Sequence, residues 1–213
     1  MSVVDEVASS VRKRMEGETT GHDWWHVSRV LKLAEKIASR EGECDLVVVR
    51  LAALLHDIAD WKFSGSEFAS SEEARKILSE LGLEEEKTDH VCSIIDNLSF
   101  KGAKVENRIS TKEGMIVQDA DRLDAIGAIG IARAFAYGGM KGRMIHDPSQ
   151  KPWLHPKAED YRNNSSSTVI HFHEKLLLLK DRMNTQAGRD LAEQRHTFTL
   201  DYIKRFMDEW DGI

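Results

Sequence analysis

Residues Leu46–Asp57 read Leu-Val-Val-Val-Arg-Leu-Ala-Ala-Leu-Leu-His-Asp, and they are the clearest indication of the fold class. Up to the His-Asp pair it is apolar on nearly every side of a helix, which is typical of a central helix that is packed all round. The three valines are β-branched, but they lie inside a longer apolar run between Asp45 and Asp60, so we interpret the run as helix. Arg50 interrupts it, and it is far too short to cross a bilayer.

Amphipathic stripes with helical spacing flank this run on both sides. Apolar residues recur at that spacing over 27–38, 74–81, 91–98, 168–187 and 190–210. A further helical segment is predicted to begin at a capping box of Ser110 with Glu113 and to run to Tyr137. Because strand signals are weak, the sequence predicts an all-α fold.

The 213 residues are predicted to form a single globular domain, because the length fits one core and no internal boundary is visible. The core of that domain is expected to cover about 22–137, with C-terminal helices of about 165–210 packed on it. Between them, 138–164 is predicted to be a long polar loop, and it contains all three prolines. Loops of that length are uncommon unless they are functional or mobile.

Composition excludes several classes of function. Thirty basic and thirty-six acidic side chains give a net charge of −6, which argues against stable binding to nucleic acid or to an anionic membrane. Cys44 and Cys92 match no zinc spacing and form no disulfide framework. The first fourteen residues lack the pattern of an export signal. We therefore expect a cytoplasmic protein whose partner is a small molecule, and the sequence leaves a homodimer open.

His56 and Asp57 end the apolar run, and both side chains are costly to bury without a partner. A divalent cation is a compact partner, because it neutralises the carboxylate and uses the imidazole lone pair. A core histidine followed by a capping aspartate also explains such a pair. His26 adds weight to the metal interpretation, because it lies at the edge of the apolar face of an earlier helix.

Carboxylates for the same ion are available in the segment 118–124, where an otherwise apolar helix carries Asp119, Asp121 and Asp124. Asp121 and Asp124 are three residues apart, whereas Asp119 points almost the opposite way from Asp121. Two histidines and two aspartates from three helices would suit one divalent ion (Mn²⁺, Fe²⁺, Co²⁺, Ni²⁺ or Mg²⁺) with positions left for water or substrate. Zinc is less favoured because no cysteine joins the set. The spacing leaves open which aspartate is the fourth ligand.

This arrangement resembles the HD-domain metal-dependent phosphohydrolases, whose pattern is a histidine, an adjacent His-Asp pair on a later helix and a distant aspartate. The matching residues are His26, His56, Asp57 and Asp121. The runs 21–26, 119–127 and 171–177 look like one small bacterial branch of these hydrolases, similar to nucleotide pyrophosphohydrolases. The resemblance implies a single HD domain over 1–213, with the metal site between its central helices.

The resemblance also implies hydrolysis of a phosphoester or phosphoanhydride. Only His90 lies clearly where dinuclear relatives carry two further histidines, so we expect one metal ion. Within this branch the resemblance favours a nucleoside triphosphate pyrophosphohydrolase, which converts a triphosphate to a monophosphate and pyrophosphate. The alternatives are a nucleoside monophosphate phosphatase and a non-catalytic HD domain that senses metal and nucleotide.

Similar enzymes carry an acidic residue one turn after the His-Asp pair that assists the attacking water. We therefore expect Asp60 to be the general base beside the catalytic Asp57, although a surface carboxylate that ends the helix is an equal interpretation of Asp60. His22, one turn before His26, is either a partner of a metal ligand or a residue of the helix cap. Four basic residues near the ends of motifs are expected to bind the phosphate groups of the substrate: Lys62, Lys101, Arg122 and Lys141.

Overall fold

In a computed structural model, the structure describes residues 2–17, 21–59 and 68–213. Every regular element within these ranges is a helix, which confirms the prediction of an all-α fold. The α-helices in chain order are α1 (Val3–Arg14), α2 (Trp24–Glu41), α3 (Leu46–Leu55), α4 (Ala69–Glu80), α5 (Glu85–Leu98), α6 (Lys112–Asp124), α7 (Gly127–Met140), α8 (Ala158–Arg162), α9 (Thr168–Glu174) and α10 (Gln186–Trp210). In the described part of the chain, none of them is long and apolar enough to cross a membrane.

The chain forms two compact units. The first comprises Met1–Ser99 and Asn107–Asp121, and the second comprises Phe100–Glu106 and Arg122–Ile213. The boundary therefore falls inside α6, directly after Asp121.

Helix α3 is the centre of the first unit, where it packs against α1, α2, α4 and α5. Its side chains from Leu51 to Leu55 are all buried, as the apolar run predicts. Fully burying one leucine contributes about 1.5–3 kcal/mol. Helix α3 therefore packs against other helices on several sides. This packing fixes the backbone position of His56 and Asp57, which follow its last turn.

The prediction of one long helix from Ser110 to Tyr137 is wrong, because the structure has two helices there, α6 and α7. Gly127 lies at the break with φ +76°, a conformation that side chains with a Cβ rarely adopt. Its backbone N–H donates to Thr199 Oγ1 at 2.9 Å. A distant hydroxyl on α10 therefore stabilises the start of α7.

In the second unit, α7 packs on α10 and α9. The helix predicted over 168–187 is shorter than expected, because α9 ends at Glu174 and 3₁₀ turns follow at Leu176–Leu178 and Lys180–Arg182. The polar segment predicted as a loop begins with the end of α7 and contains the short helix α8. Backbone bonds from the N–H groups of Thr168 and Val169 to the carbonyls of Met144 and Ile145 tie this segment to α9.

Candidate metal centre

Helix α2 supplies His26 from its first turn. Asp23 caps this helix, and its Oδ1 accepts a hydrogen bond from the backbone N–H of His26 at 2.8 Å. The His26 side chain is buried, and so is Val30, which lies one turn further along the same face. The cap and the apolar face together fix the direction of the imidazole.

His56 and Asp57 come directly after α3. Asp45 caps the start of this helix, where its Oδ1 accepts from the N–H groups of Val47 and Val48. His56 keeps helical backbone angles at the other end, and its Nδ1 lies 2.9 Å from the carbonyl oxygen of Ala53. A carbonyl only accepts, so Nδ1 carries the hydrogen, and Nε2 of the neutral ring keeps its lone pair for a metal ion.

The two imidazoles and two carboxylates converge in the first unit. Nε2 of His26 and Nε2 of His56 are 3.1 Å apart. Oδ2 of Asp57 lies 3.3 Å from the first of these nitrogens and 3.6 Å from the second. Oδ1 of Asp121 lies 3.6 Å and 3.9 Å from the same two atoms. Two carboxylate oxygens, one from α6 and one from the end of α3, therefore each lie within 4 Å of both imidazole nitrogens.

These separations fit a single divalent ion. Ligand atoms about 2.1 Å from one ion are about 3.0 Å apart at adjacent octahedral positions and about 4.2 Å apart at opposite ones. The five separations given above, from 3.1 to 3.9 Å, fall between these limits. The cluster could hold a divalent metal, and neutral imidazoles with charged carboxylates are a donor set that several such ions accept.

Asp57 is held from a second direction by His22. Its Oδ2 accepts a hydrogen bond from Nδ1 of His22 at 2.7 Å. Burial alone would raise the pKa of Asp57, but the neighbouring imidazoles of His56, His22 and His26 outweigh it, so the pKa lies well below its usual value. The carboxylate is therefore ionised at neutral pH, as a metal ligand must be.

Of the three aspartates on α6, the structure groups Asp121 with the two histidines. Asp119 is fully buried. Asp124 is buried and accepts from the guanidinium of Arg133 at 3.0 Å. The structure therefore distinguishes Asp121, which lies near the two imidazoles, from Asp119 and Asp124. The spacing in the sequence could not make this distinction.

Two predicted residues, Asp60 and Lys62, lie outside the residues that the structure describes, in the interval 60–67. The expected roles of Asp60 as general base and of Lys62 in phosphate binding stay predictions.

The other predicted phosphate-binding residues belong to the second unit. Lys101 is half-buried in the segment before α6. Arg122 is buried, and its guanidinium donates to the backbone carbonyl of Arg182. Lys141 follows α7, with its Nζ 5.8 Å from the centre of the Tyr137 ring.

His90 is separate from the cluster. It lies on α5, where its Nε2 is 3.0 Å from the hydroxyl of Thr111 and 3.9 Å from a carboxylate oxygen of Glu113. Among the described residues, His90 joins no group of three potential metal ligands. His22 does join such a group, with His26 and Asp57, and its spacing of one turn before His26 was the only sign of it in the sequence.

Comparison with known proteins places this geometry in a family. The model of the HD domain matches residues 24–126, the part of the chain that contains all four converging residues. The YpgQ protein of Bacillus subtilis (strain 168) is 40% identical over 210 residues, which cover 98% of this chain and 94% of that protein.

Solved structures give the same result over nearly the whole chain. A crystal structure of a Lactobacillus plantarum protein has a TM-score of 0.90 at 33% identity and covers 99% of this chain and 98% of that one. An HD-superfamily hydrolase from Bacillus thuringiensis has a TM-score of 0.74 at 42% identity, with 99% and 97% covered. The Bacillus subtilis YpgQ structure in complex with ADP has a TM-score of 0.74 at 38% identity, with 98% of each chain covered.

Proposed function

This chain belongs to the HD-domain family, and we propose that it is a metal-dependent phosphohydrolase that acts on nucleotides. The specific reaction we propose is hydrolysis of a nucleoside triphosphate to a nucleoside monophosphate and pyrophosphate. The ADP bound to the Bacillus subtilis relative supports a nucleotide as the ligand class. We place the activity in the cytoplasm, in keeping with two cysteines that stay unpaired.

The observation that carries the proposal is that carboxylate oxygens of Asp57 and Asp121 each lie within 4 Å of Nε2 of both His26 and His56. Burying two imidazoles beside two carboxylates costs free energy that packing alone does not return. A bound ion offsets that cost, and we propose these four residues as its ligands. Mn²⁺ is the ion we would test first, while Fe²⁺, Co²⁺, Ni²⁺ and Mg²⁺ suit the same donors and Zn²⁺ suits them less.

The protein side chains prepare the site before substrate arrives. His56 presents Nε2 because its Nδ1–H is bound to the Ala53 carbonyl, and His22 fixes the orientation of the Asp57 carboxylate. When bound, a divalent ion supplies a water of lowered pKa and polarises a phosphoryl oxygen. The positions of the four ligands therefore decide where the attacking water and the phosphate meet.

In the proposed reaction, water forms a bond to the α-phosphorus of the triphosphate, and the bond from that phosphorus to the bridging oxygen breaks. Pyrophosphate leaves with that oxygen, and we propose that the carboxylate of Asp60 accepts the proton of the water. We propose that Lys62, Lys101, Arg122 and Lys141 bind the phosphate groups. Positive side chains are needed there because charge is spread over the phosphoryl oxygens in the transition state.

Product analysis with Mn²⁺ tests the proposal. Wild-type protein, the double variant His56→Ala/Asp57→Ala and the control His90→Ala would be incubated with nucleoside mono-, di- and triphosphates, and the products resolved by anion exchange. We expect monophosphate and pyrophosphate from triphosphates in the wild type and the control, and no product in the double variant.

The other outcomes assign other functions. Free nucleoside and phosphate released from monophosphates would identify a nucleoside monophosphate phosphatase. Retention of stoichiometric metal and nucleotide without any cleavage would overturn the enzymatic proposal and identify a sensor.

A further inference from the structure

Asp121 differs from His56 and Asp57 in how its side chain is held. Nδ1–H of His56 donates to the carbonyl of Ala53, and the carboxylate of Asp57 accepts from His22. In the part of the chain that the structure describes, no such hydrogen bond reaches the Asp121 carboxylate, whose nearest imidazole nitrogens are 3.6 and 3.9 Å away. Metal ligands are usually oriented by a partner outside the metal site. The position of the Asp121 side chain therefore depends on its helix, α6.

One turn before Asp121, α6 carries a buried polar residue, Gln118, of which only 1% is exposed. Its amide nitrogen donates to the carbonyl of Leu98 at 3.1 Å and to that of Asn97 at 3.3 Å. The same nitrogen donates to Oδ1 of Asn107 at 3.0 Å, and the amide oxygen of Gln118 accepts from Nδ2 of Asn107 at 2.9 Å. This side chain therefore joins α6 to the end of α5 and to the segment between the two helices.

The carbonyls that Gln118 contacts are ones that α5 cannot use itself. Helix α5 ends at Leu98, and the last four carbonyls of an α-helix have no N–H partner within the helix. A buried carbonyl that loses its donor keeps the full cost of desolvation. The bonds from Gln118 are therefore costly to break, and they fix where α6 lies against α5.

The apolar side chains of α6 hold the helix less closely than these hydrogen bonds do. Ile116, Val117 and Ala120 are fully buried. Hydrophobic contact has no preferred direction, however, whereas a hydrogen bond weakens steeply as its angle closes. Distances from a metal ion to its ligands vary by only about 0.2 Å. A shift of α6 by a fraction of its rise of about 1.5 Å per residue would therefore move Asp121 away from the ion.

We propose that Gln118 is a positioning residue of the metal centre. Its bonds to the end of α5 hold α6 at the place where the carboxylate of Asp121 faces the imidazoles of His26 and His56. The ligand concerned is a divalent cation. This inference rests on the proposed function only in that these residues bind such an ion, and it does not depend on the substrate or on the bond that is cleaved.

The test is a calorimetric titration of the metal-free full chain with Mn²⁺. We expect Gln118→Leu, which removes the hydrogen bonds and keeps a side chain of similar volume, to raise the dissociation constant about tenfold or more. A loss of this size is typical when a group that orients a metal ligand is removed. The matched control is Gln186→Leu, which removes a glutamine of α10 that pairs with Asp190 on its own helix, and it should bind Mn²⁺ like the wild type.

A purely structural role for Gln118 predicts a different result. Gln118→Leu would then unfold at a lower urea concentration, but the folded protein would bind Mn²⁺ with the dissociation constant of the wild type. That result would overturn the inference and leave the proposed function intact. If the wild type does not bind Mn²⁺, both the inference and the proposed function fail. Circular dichroism without urea verifies that each variant is folded during the titration.

Electron paramagnetic resonance of the bound Mn²⁺ provides a readout that stability does not affect. At saturating metal, Gln118→Leu should change the spectrum, because one carboxylate no longer lies at its place around the ion, and an unchanged spectrum would contradict the inference. If Gln118→Leu does not fold, Gln118→Asn takes its place, since it keeps the amide but shortens its reach by one methylene. The same titration and spectrum then decide the question.

Discussion

A buried histidine lies beside a carboxylate in both units, but the two arrangements differ in what surrounds the carboxylate. In the first unit, Oδ2 of Asp57 lies within 4 Å of ring nitrogens of three histidines. In the second unit, Oε2 of Glu174 lies 3.7 Å from Nε2 of His155, and both residues are 2% exposed. Among the described residues, groups of three or more potential metal ligands occur only in the first unit.

Glu174 is instead occupied by the segment that precedes α9. Its two oxygens accept from the N–H of Trp153 at 3.0 Å, the amide of Asn164 at 2.6 Å and the hydroxyl of Ser166 at 2.8 Å. This carboxylate holds a loop, whereas Asp57 and Asp121 face imidazole nitrogens. Burial of a histidine and an acid does not therefore define a metal centre, but the convergence of several ligand atoms does.

The largest effect, on metal content and on the rate of hydrolysis, is expected when a proposed metal ligand of the first unit is removed. We expect Asp121→Ala to lose bound Mn²⁺ and to lower the hydrolysis rate about 10³-fold, because a catalytic ion is worth several kcal/mol in the transition state. Metal content and initial rates measure both. Asp124→Ala is the matched control on the same helix, and we expect it to retain the metal. Loss of metal in the control, but not in Asp121→Ala, would reverse our choice of ligand.

A smaller effect is expected at His22, which donates a hydrogen bond to Asp57. We expect His22→Ala to weaken Mn²⁺ binding about 10–100-fold, as is typical when the partner of a ligand is removed. A metal titration of this variant beside His90→Ala provides the measurement and its control. If the two variants bind Mn²⁺ equally well, His22 does not orient Asp57.

In the second unit, we expect removal of the Glu174 charge to change the stability of the protein and not its metal binding. Glu174→Gln should lower the free energy of unfolding by about 2 kcal/mol, because a charged acceptor of several hydrogen bonds is lost in a buried position. Urea unfolding measures this, and the Mn²⁺ content should be unchanged. The control is Glu193→Gln, whose exposed pair with Lys180 is worth about 0–1 kcal/mol. A loss of metal in Glu174→Gln would contradict the assignment of metal binding to the first unit and of a purely structural role to Glu174.

The smallest effect is expected at the cap of α3. Burial alone would raise the pKa of Asp45, but its hydrogen bonds to Val48, Lys87 and Val47 outweigh burial and lower the pKa. Asp45→Ala should cost about 1 kcal/mol of stability at pH 7.

A lowered pKa in the folded protein means that this stabilisation is present above the ordinary carboxyl pKa of about 3.9 and is lost as pH falls through the lower folded value. The stability difference between wild type and Asp45→Ala should therefore narrow below about pH 4. Asp45→Asn keeps an acceptor without a titrating group, and its stability relative to Asp45→Ala should depend little on pH. A difference from Asp45→Ala that persists unchanged in acid would show that ionisation of Asp45 contributes nothing.

The sequence predicts α3 well, because an all-apolar helix can lie only in a core. It does not predict the break between α6 and α7, because Gly127 is held there by Thr199, far along the chain. Local capping signals therefore could not show that the segment from Ser110 is interrupted.

For the metal centre, residue types indicated His26, His56 and Asp57, since each is hard to explain in an apolar environment. Spacing could not choose among three aspartates of one helix, and Asp121 was selected by resemblance to a family pattern. The contact between His22 and Asp57 could not be predicted from the sequence, because Asp57 follows a different helix.

Anomalous diffraction from crystals of the full chain grown with Mn²⁺ would locate the ion among the side chains. We expect one strong manganese peak about 2.2 Å from Nε2 of His26, Nε2 of His56 and carboxylate oxygens of Asp57 and Asp121. Manganese bound elsewhere, with no peak at these four residues, would contradict the assignment of these residues as ligands.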